Sequence, residues 1–371
     1  MCAPSAPNTR CTSFTAYDDH VKPGLDQTDG ICSVFSGTPR EIGLAMGRRF
    51  QQALTVGTRE YVEGLEQAGV ASLARAREMR DPWLERVPDR YRVEMEGTAE
   101  GAGVAYEDLI DALIASVYPT THCSAVLIAD RSVWWVGHNN DWYDFGSHQW
   151  VGAMLREVEG RIPTLTIGLV GDTAAVAGAN AEHVWLHMNG FPTSDEPDEP
   201  RALPYIFVIR EALETCTSLD DVEALLAGGA RDGGMAVYAI DGKTGEAALF
   251  ECGYQTHTRR ESRPDATVAS NTRDPGDRVR TGGAHTIIGS NGTHKIDRLH
   301  ELLVDGDTAI DMRLRAALAD PVVEDHGQEF VGSSTVYSIV ASPQQRQLWL
   351  AHGAVPAPSR GQWSEITWPW P

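Results

Sequence analysis

Cys123 is the residue of this chain whose surroundings best suit covalent chemistry. It follows Pro119-Thr-Thr-His122, which breaks the helical pattern before it. It opens the run Ser124-Ala-Val-Leu-Ile-Ala129, which reads as a strand. A thiol at the first position of a strand, on the rim of a sheet, is exposed and rigidly held, as a nucleophile requires. After the turn Asp130-Arg-Ser132, a second strand, Val133-Trp-Trp-Val-Gly-His138, runs into Asn139-Asn140-Asp141-Trp142. A tight hairpin returns the end of its second strand to the start of its first, so Asn139 and Asp141 are expected near Cys123. Nucleophile, carboxylate and amide donor are the groups acyl transfer needs, to attack, to handle the proton and to stabilise the oxyanion. Singly, each has an ordinary reading: free cysteines are usually buried core residues, and Asn and Asp favour turns.

Other residues that could carry chemistry fit it less well. The six cysteines stand at 2, 11, 32, 123, 216 and 252. None forms a Cys-x-x-Cys pair or has histidine at zinc-finger spacing, so free thiols of a reducing compartment are expected. Cys2 precedes Ala-Pro-Ser-Ala-Pro, which cannot be a regular core strand, and Cys11 has no returning Asn-x-Asp strand. His183 and His187, expected on one face of a strand, and Asp172 do not make a metal set at convincing spacing, so no metal is expected. Gly228-Gly229 and Gly233-Gly234 lack the Gly-Lys-Ser/Thr of a phosphate loop. Trp134, Trp135, Trp142 and Trp150 either line an apolar acyl pocket or pack a core.

The elements that must hold Cys123 follow from the apolar spacing. Residues 1–30 read as an irregular arm, and Ile31–Phe35 as a strand. Thr38 caps a helix with Pro39 at its first position, and residues 59–118 continue as helices until Pro119. From Cys123 strands dominate: the hairpin above, then 151–158, 163–170, 174–179 and 183–188. An acidic, proline-rich loop spans 193–204. Helices at 205–216 and 218–226 follow, the second with Ser218 and Asp221 as a capping box, then strands at 235–240, 246–251 and 266–270. Helices at about 295–303 and 310–318 lead to strands at 335–341 and 346–351 and an extended Trp- and Pro-rich tail. The expected fold is α+β, two antiparallel sheets between helical layers.

Together these features resemble a known family. Cys123-Ser-Ala-Val, with Asp141-Trp142 eighteen residues on in a Gly-x-Asn-x-Asp-Trp setting, is similar to the acyl-coenzyme A:6-aminopenicillanic acid acyltransferase family, peptidase family C45, within the N-terminal-nucleophile (Ntn) hydrolases. Ser36-Gly-Thr-Pro-Arg-Glu-Ile-Gly43 with Gly47 resembles the family's opening helix. Glu96-Gly97 through Gly101-Ala-Gly-Val104 resembles the helices before the nucleophile. Ala269-Ser-Asn271, Ser290 through Leu299, and Thr335-Val-Tyr-Ser338 with Leu348–Ala351 resemble its later elements. The likeness runs over roughly residues 31–355.

The resemblance implies a four-layer αββα sandwich of the Ntn-hydrolase type and a zymogen that cleaves itself at His122-Cys123. The products would be an α chain of residues 1–122, comprising the arm and the helical segment 31–122, and a β chain of residues 123–371. The two would stay together as one heterodimeric domain. It further implies that the freed α-amine of Cys123 is general base for its own thiol, that Asp141 orients that amine, and that Asn271 donates to the oxyanion. Asn139 and Trp142 would support substrate or oxyanion. The substrate would be a small N-acyl compound cleaved or transferred at a linear amide, with an acyl-thioester donor as an optional partner and no cofactor. The sequence departs from the family at His122, where many relatives carry glycine, and at Asn140, where they often have tryptophan. The alternative is an unprocessed, non-catalytic small-molecule-binding protein on the same fold.

Composition limits the partners. The chain has 371 residues, 42% hydrophobic and 22% charged, an ordinary balance for a globular protein. With 31 Lys and Arg against 52 Asp and Glu, the net charge of −21 repels phosphate backbones and anionic lipid heads, so neither nucleic acid nor membrane partners are expected. The opening residues lack the basic and apolar segments of a secretory signal, and no stretch approaches the ~20 apolar residues of a membrane span. The sequence reading is cytoplasmic.

Overall fold

The computed structural model describes residues 31–118, 123–191, 202–261, 267–270, 285–303, 307–327 and 332–371. The arm 1–30 and the loop 193–201 lie outside the described residues. The chain runs β1 (Cys32–Gly37), α1 (Pro39–Arg49), α2 (Gln51–Val56), a π-helical turn at Gly57–Tyr61, α3 (Val62–Gln67), α4 (Leu73–Leu84), α5 (Asp89–Ala102) and α6 (Tyr106–Val117). The nucleophile hairpin is β2 (Ser124–Asp130) and β3 (Val133–Tyr143). Then come β4 (Val151–Val158), β5 (Thr164–Leu169), β6 (Ala177–Asn180), β7 (Val184–Phe191), α7 (Val208–Thr215), α8 (Leu219–Gly228), β8 (Gly234–Asp241), β9 (Glu246–Cys252), β10 (His257–Glu261) and β11 (Thr267–Ser270). The last elements are α9 (His285–Leu302), α10 (Ile310–Leu318), β12 (Ser333–Ser342), β13 (Gln347–His352), α11 (Ala357–Arg360) and β14 (Gln362–Glu365).

The strands form two sheets, an eight-stranded one in the order β1-β4-β5-β6-β7-β8-β9-β10 and a six-stranded one in the order β11-β2-β3-β12-β13-β14. Each sheet is apolar on both faces, so a core forms between the sheets and others form outside each of them. Ala125, Leu127 and Val136 of the smaller sheet interlock with Leu155, Trp185 and Tyr238 of the larger between the two. The outer face of the larger sheet (Leu186, Val237, Phe250) is covered by α5 to α8 through residues such as Tyr91, Ile114 and Leu213. The outer face of the smaller sheet (Val126, Trp135, Val340) is covered by α9 and α10 through Leu299, Ile310 and Leu314. The protein is therefore an α+β, four-layer αββα sandwich. All registered pairs are antiparallel except β1 with β4. The expected α+β fold of two antiparallel sheets between helical layers is thus present; the parallel pair is possible because β1 is separated from β4 by the helical segment and the nucleophile hairpin, a connection long enough for a parallel partner.

The opening motif now has a physical meaning. Thr38 and Glu41 close a full capping box on α1. Gly43 and Gly47 of α1 face Gly97 and Gly101 of α5 so closely that a Cβ on any of the four would fall within the backbone of the facing helix. The four glycines let α1 and α5 touch main chain to main chain, the densest helix contact available.

Three expectations about elements need correction. At α8, Ser218 Oγ accepts from the Asp221 amide at 3.2 Å, but the shorter Asp221 side chain accepts from the amide of Thr217 at 2.9 Å, one residue outside the usual box. Helix α9 begins ten residues before the expected Lys295, because Gly289, Asn291 and Gly292 hide its apolar period. Strands β10 and β14 were not expected; both are edge strands with polar sequences (His-Thr-Arg-Arg-Glu and Gln-Trp-Ser-Glu), which carry little alternation. The C-terminal tail packs as expected, with Ile366 and Trp368 buried in the core between the sheets.

Candidate active site

Cys123 stands one residue before β2, an interior strand flanked by β11 and β3. Ser124 pairs with Asn139, so the end of β3 returns beside Cys123 and continues past it. The thiol is 4% exposed, and Sγ lies 3.6 Å from the main-chain oxygen of Asp141. It is not packed solid: it lines a cavity of about 350 Å³ beneath the end of α6, beside Asn140, Trp142 and Tyr337. Because alternate residues of a strand face opposite sides, Asn140 and Trp142 look into this cavity while Asn139 and Asp141 look away from it.

Asp141 is buried, at 1% exposure, on the outer face of the smaller sheet. Its Oδ2 accepts from Lys295 Nζ of α9 at 2.7 Å, and its Oδ1 accepts from Thr335 Oγ1 of β12 at 2.5 Å. Burial pushes its pKa up from 3.8 to about 6; Lys295 opposes the rise and Asp325 adds to it. The carboxylate thus sits behind the strand end that carries Cys123, ionised at neutral pH and held from two sides. Sequence reasoning did not assign Lys295 or Thr335 to the site. The only signal available was their place in motifs shared with the family.

Asn139 is engaged at both ends. Its Nδ2 donates to the Leu318 carbonyl at 3.0 Å, and its Oδ1 accepts from Ser338 Oγ at 2.6 Å. It joins β3 to β12 and to the end of α10, away from the cavity, which corrects the expectation that it supports substrate or oxyanion. Asn140 holds the cavity-facing position. Trp142 lines the cavity with Cys123, whereas Trp134 belongs to the core between the sheets, Trp135 to the outer core, and Trp150 lines a second cavity of about 130 Å³. His122 and Asn271 lie outside the described residues.

Two tyrosines frame the cavity. Tyr118 Oη donates to Asp232 at 2.6 Å and accepts from Trp83 Nε1 at 2.9 Å; Tyr205 Oη donates to the Val117 carbonyl at 2.8 Å. A third, Tyr337, packs edge-on against His138, whose ring lies over His187 with centroids 4.8 Å apart. Burial lowers the His138 pKa to about 3, so this pair between the sheets is neutral at physiological pH. His183 does not share a strand face with His187, as expected from sequence; it sits in the turn before β7 at φ 58°. Among the described residues no group of three or more His, Cys, Asp or Glu side chains is placed to hold a metal ion, and no helix is long and apolar enough to cross a membrane.

No protein-family model matches the chain, and no curated protein matches its sequence. Solved structures do overlap with it. One is the Caenorhabditis elegans ortholog of N-acylethanolamine-hydrolyzing acid amidase, 14% identical, covering 60% of this chain and 93% of its own, with a TM-score of 0.43. A C2A mutant of the conjugated bile acid hydrolase from Clostridium perfringens is 12% identical over 66% of this chain and 96% of its own, TM-score 0.43. The penicillin V acylase from Agrobacterium tumefaciens is 12% identical over 62% of this chain and 83% of its own, TM-score 0.44. Overlap this partial adds no weight to the fold, which stands on the two sheets and their helical layers.

Proposed function

We propose that the protein is a self-processing cysteine amidohydrolase or N-acyltransferase acting on a small N-acyl compound, with Cys123 as nucleophile. The observation that carries this reading is the arrangement around one strand end: a thiol bordering a cavity on one face, and a buried, ionised carboxylate fixed by Lys295 and Thr335 on the other.

In the precursor, Cys123 Sγ attacks the His122 carbonyl carbon. The peptide C–N bond breaks as the acyl group moves from nitrogen to sulfur, which frees the α-amine, and water then hydrolyses the thioester, releasing the His122 carboxylate and restoring the thiol. In the mature protein that amine takes the thiol proton, as an α-amino group of ordinary pKa ~7.7–8.0 can near neutral pH. The thiolate adds to the substrate carbonyl, the ammonium returns the proton to the departing amine, and an acyl-enzyme forms. Water, or an incoming amine, then takes the acyl group. The Asp141 carboxylate, one residue beyond Asn140 on β3, favours the protonated amine by its charge and keeps the new N-terminus at the cavity. Asn271 is the proposed oxyanion donor, and losing such a donor typically lowers kcat ~10²–10³-fold. The products of processing, residues 1–122 and 123–371, would remain associated, since β1 of the first pairs with β4 of the second.

Intact-mass measurement on the purified protein tests this directly. Two fragments meeting at His122-Cys123 are expected, and a single 40.4 kDa chain in the Cys123→Ala variant, which should also lack thiol-dependent amide turnover. An uncleaved wild-type chain with an inert Cys123 thiol would instead indicate a binding protein.

A further inference from the structure

The cavity beside Cys123 is lined by a carboxylate, Asp172, that makes no direct ion pair among the described residues and feels Arg156 and Arg210 only through space. Behind its wall lies a buried network. Arg210 donates to Glu94 from Nη1 and Nη2 at 2.8 and 2.5 Å and to Glu214 from Nε at 2.8 Å, while Arg156 Nε lies 3.5 Å from Glu94. Arg90 adds a further pair to Glu214 and to Glu211. Asp172 lies beside this network without a direct pair in it. Arg156 Nη2 meets its main-chain oxygen, at 2.5 Å, rather than its carboxylate, and the carboxylate accepts from the Ala174 amide at 2.9 Å. Asp172 lines both the Cys123 cavity and the smaller one beside it. No lysine, arginine or histidine among the described residues lines the Cys123 cavity.

A second group points to the same spot. Tyr337 Oη also lines the cavity, is buried, and has no hydrogen-bond partner among the described residues. It lies within electrostatic range of both Cys123 and Asp172. Opposite it is Gly168, where an added Cβ would meet only this hydroxyl, 3.9 Å away, so the glycine leaves the space before Tyr337 open. An orphaned hydroxyl and a carboxylate that Arg156 and Arg210 reach only through space, set among the mixed polar and apolar side chains of the chamber, are the complement of an N–H-rich cation.

We propose that the substrate of the Cys123 site carries an ammonium group a few bonds from its amide, which docks on the Asp172 carboxylate with Tyr337 Oη accepting a further N–H. This rests on the reading of the Cys123 cavity as a substrate site, and it narrows the substrate to cationic N-acyl compounds, such as ω-aminoacyl amides or monoacylated diamines. The net charge of −21 works in the same direction, drawing cations toward the protein. Burial of Asp172 raises its pKa to about 6, still leaving it ionised at neutral pH.

The test compares ligands that differ only at the far end. Calorimetric titration of the protein with 4-aminobutanamide against butanamide, and with N-acetyl-1,4-diaminobutane against N-acetylbutylamine, reads the preference without requiring turnover. One ammonium member should bind about 10- to 100-fold more tightly than its methyl-ended partner, the range for a charge-assisted hydrogen bond. Asp172→Asn should collapse that ratio to about threefold or less, and Tyr337→Phe, which changes no charge, should reduce it in part. Equal binding within both pairs, or a preference that survives Asp172→Asn, overturns the proposal. Turnover of the corresponding 4-nitroanilides separates the two readings: hydrolysis of methyl-ended amides alone leaves the nucleophile standing and removes the cation site. Ammonium-selective binding with no turnover of any amide keeps the cation site and removes the enzyme.

Discussion

Two of the buried ionic clusters differ in a way that separates architecture from chemistry. Between α5, α7 and β4, Arg210 spans Glu94 and Glu214 while Arg156 approaches Glu94. Every carboxylate has a guanidinium, and the Glu214 pKa is lowered, its burial outweighed by Arg210. Beside Cys123, Asp141 has one ammonium partner and one hydroxyl, and its pKa is raised to about 6. The first cluster is electrostatically satisfied and faces no nucleophile. The second is left with its carboxylate ready to titrate close to neutrality, next to a thiol that lines a cavity. Buried charges that perturb each other in this manner are what a catalytic group requires, whereas a balanced network serves only to join helices to a sheet.

The largest expected contrast comes from removing one member of each cluster. Arg210→Met leaves two glutamates buried without their partner and should cost about 3–5 kcal/mol of stability, measured by denaturant unfolding, while molecules that remain folded keep their turnover. Asp141→Asn also removes the anion beside the buried Lys295 and so costs stability too, but here the molecules that remain folded should lose kcat/KM about 10²–10⁴-fold, the usual contribution of a group that manages the proton. If Arg210→Met abolished turnover in folded protein while Asp141→Asn spared it, the assignment of the two clusters would be reversed.

How far this contrast was legible in the sequence differs between its halves. The hairpin was legible because β2 and β3 carry uninterrupted apolar runs joined by a polar turn, which fixed Cys123 at a strand start and brought the 139–142 stretch back to it. Which face each of those four residues would take was not, since a one-residue change of register exchanges the faces. Spacing alone therefore does not tell that Asn139 faces α10 and Asn140 the cavity. Lys295 and Thr335 come from α9 and β12, 154 and 194 residues from Asp141, a separation that no local pattern encodes. Asp172 was noted only as a metal ligand without companions. Its meaning depends on an arginine bonding its main chain instead of its side chain, a detail of packing.

Opposite pKa shifts give the two clusters opposite pH slopes. Glu214, with its folded pKa below 4.5, contributes stability that is present above that value and lost as pH falls through the lower folded one. Asp141, with its pKa raised above 3.8, contributes stability that is present below 3.8 and lost as pH rises through about 6. Lys295 holds the Asp141 value down, so Lys295→Met should drive it higher and move the acid limb of kcat/KM to higher pH, by an amount seen as at least a threefold loss at pH 7. A pH profile that shifts the other way, or not at all, would mean that Lys295 does not govern this carboxylate.

The smallest expected effect sharpens the division between the two faces of β3. Asn139→Ala removes the links to Leu318 and Ser338 and leaves a buried carbonyl and hydroxyl unpaired, at about 1–3 kcal/mol of stability. It should change kcat/KM of the folded protein by less than about threefold, because no atom of its side chain faces the cavity. Asn140→Ala, one residue along, should show the opposite balance: nearly unchanged unfolding, and a change in KM or kcat that depends on the substrate used. The pair is informative because the substitutions are chemically identical and the backbone positions adjacent. Only the side of the sheet differs, so a common response from both variants would place the substrate elsewhere than in the Cys123 cavity.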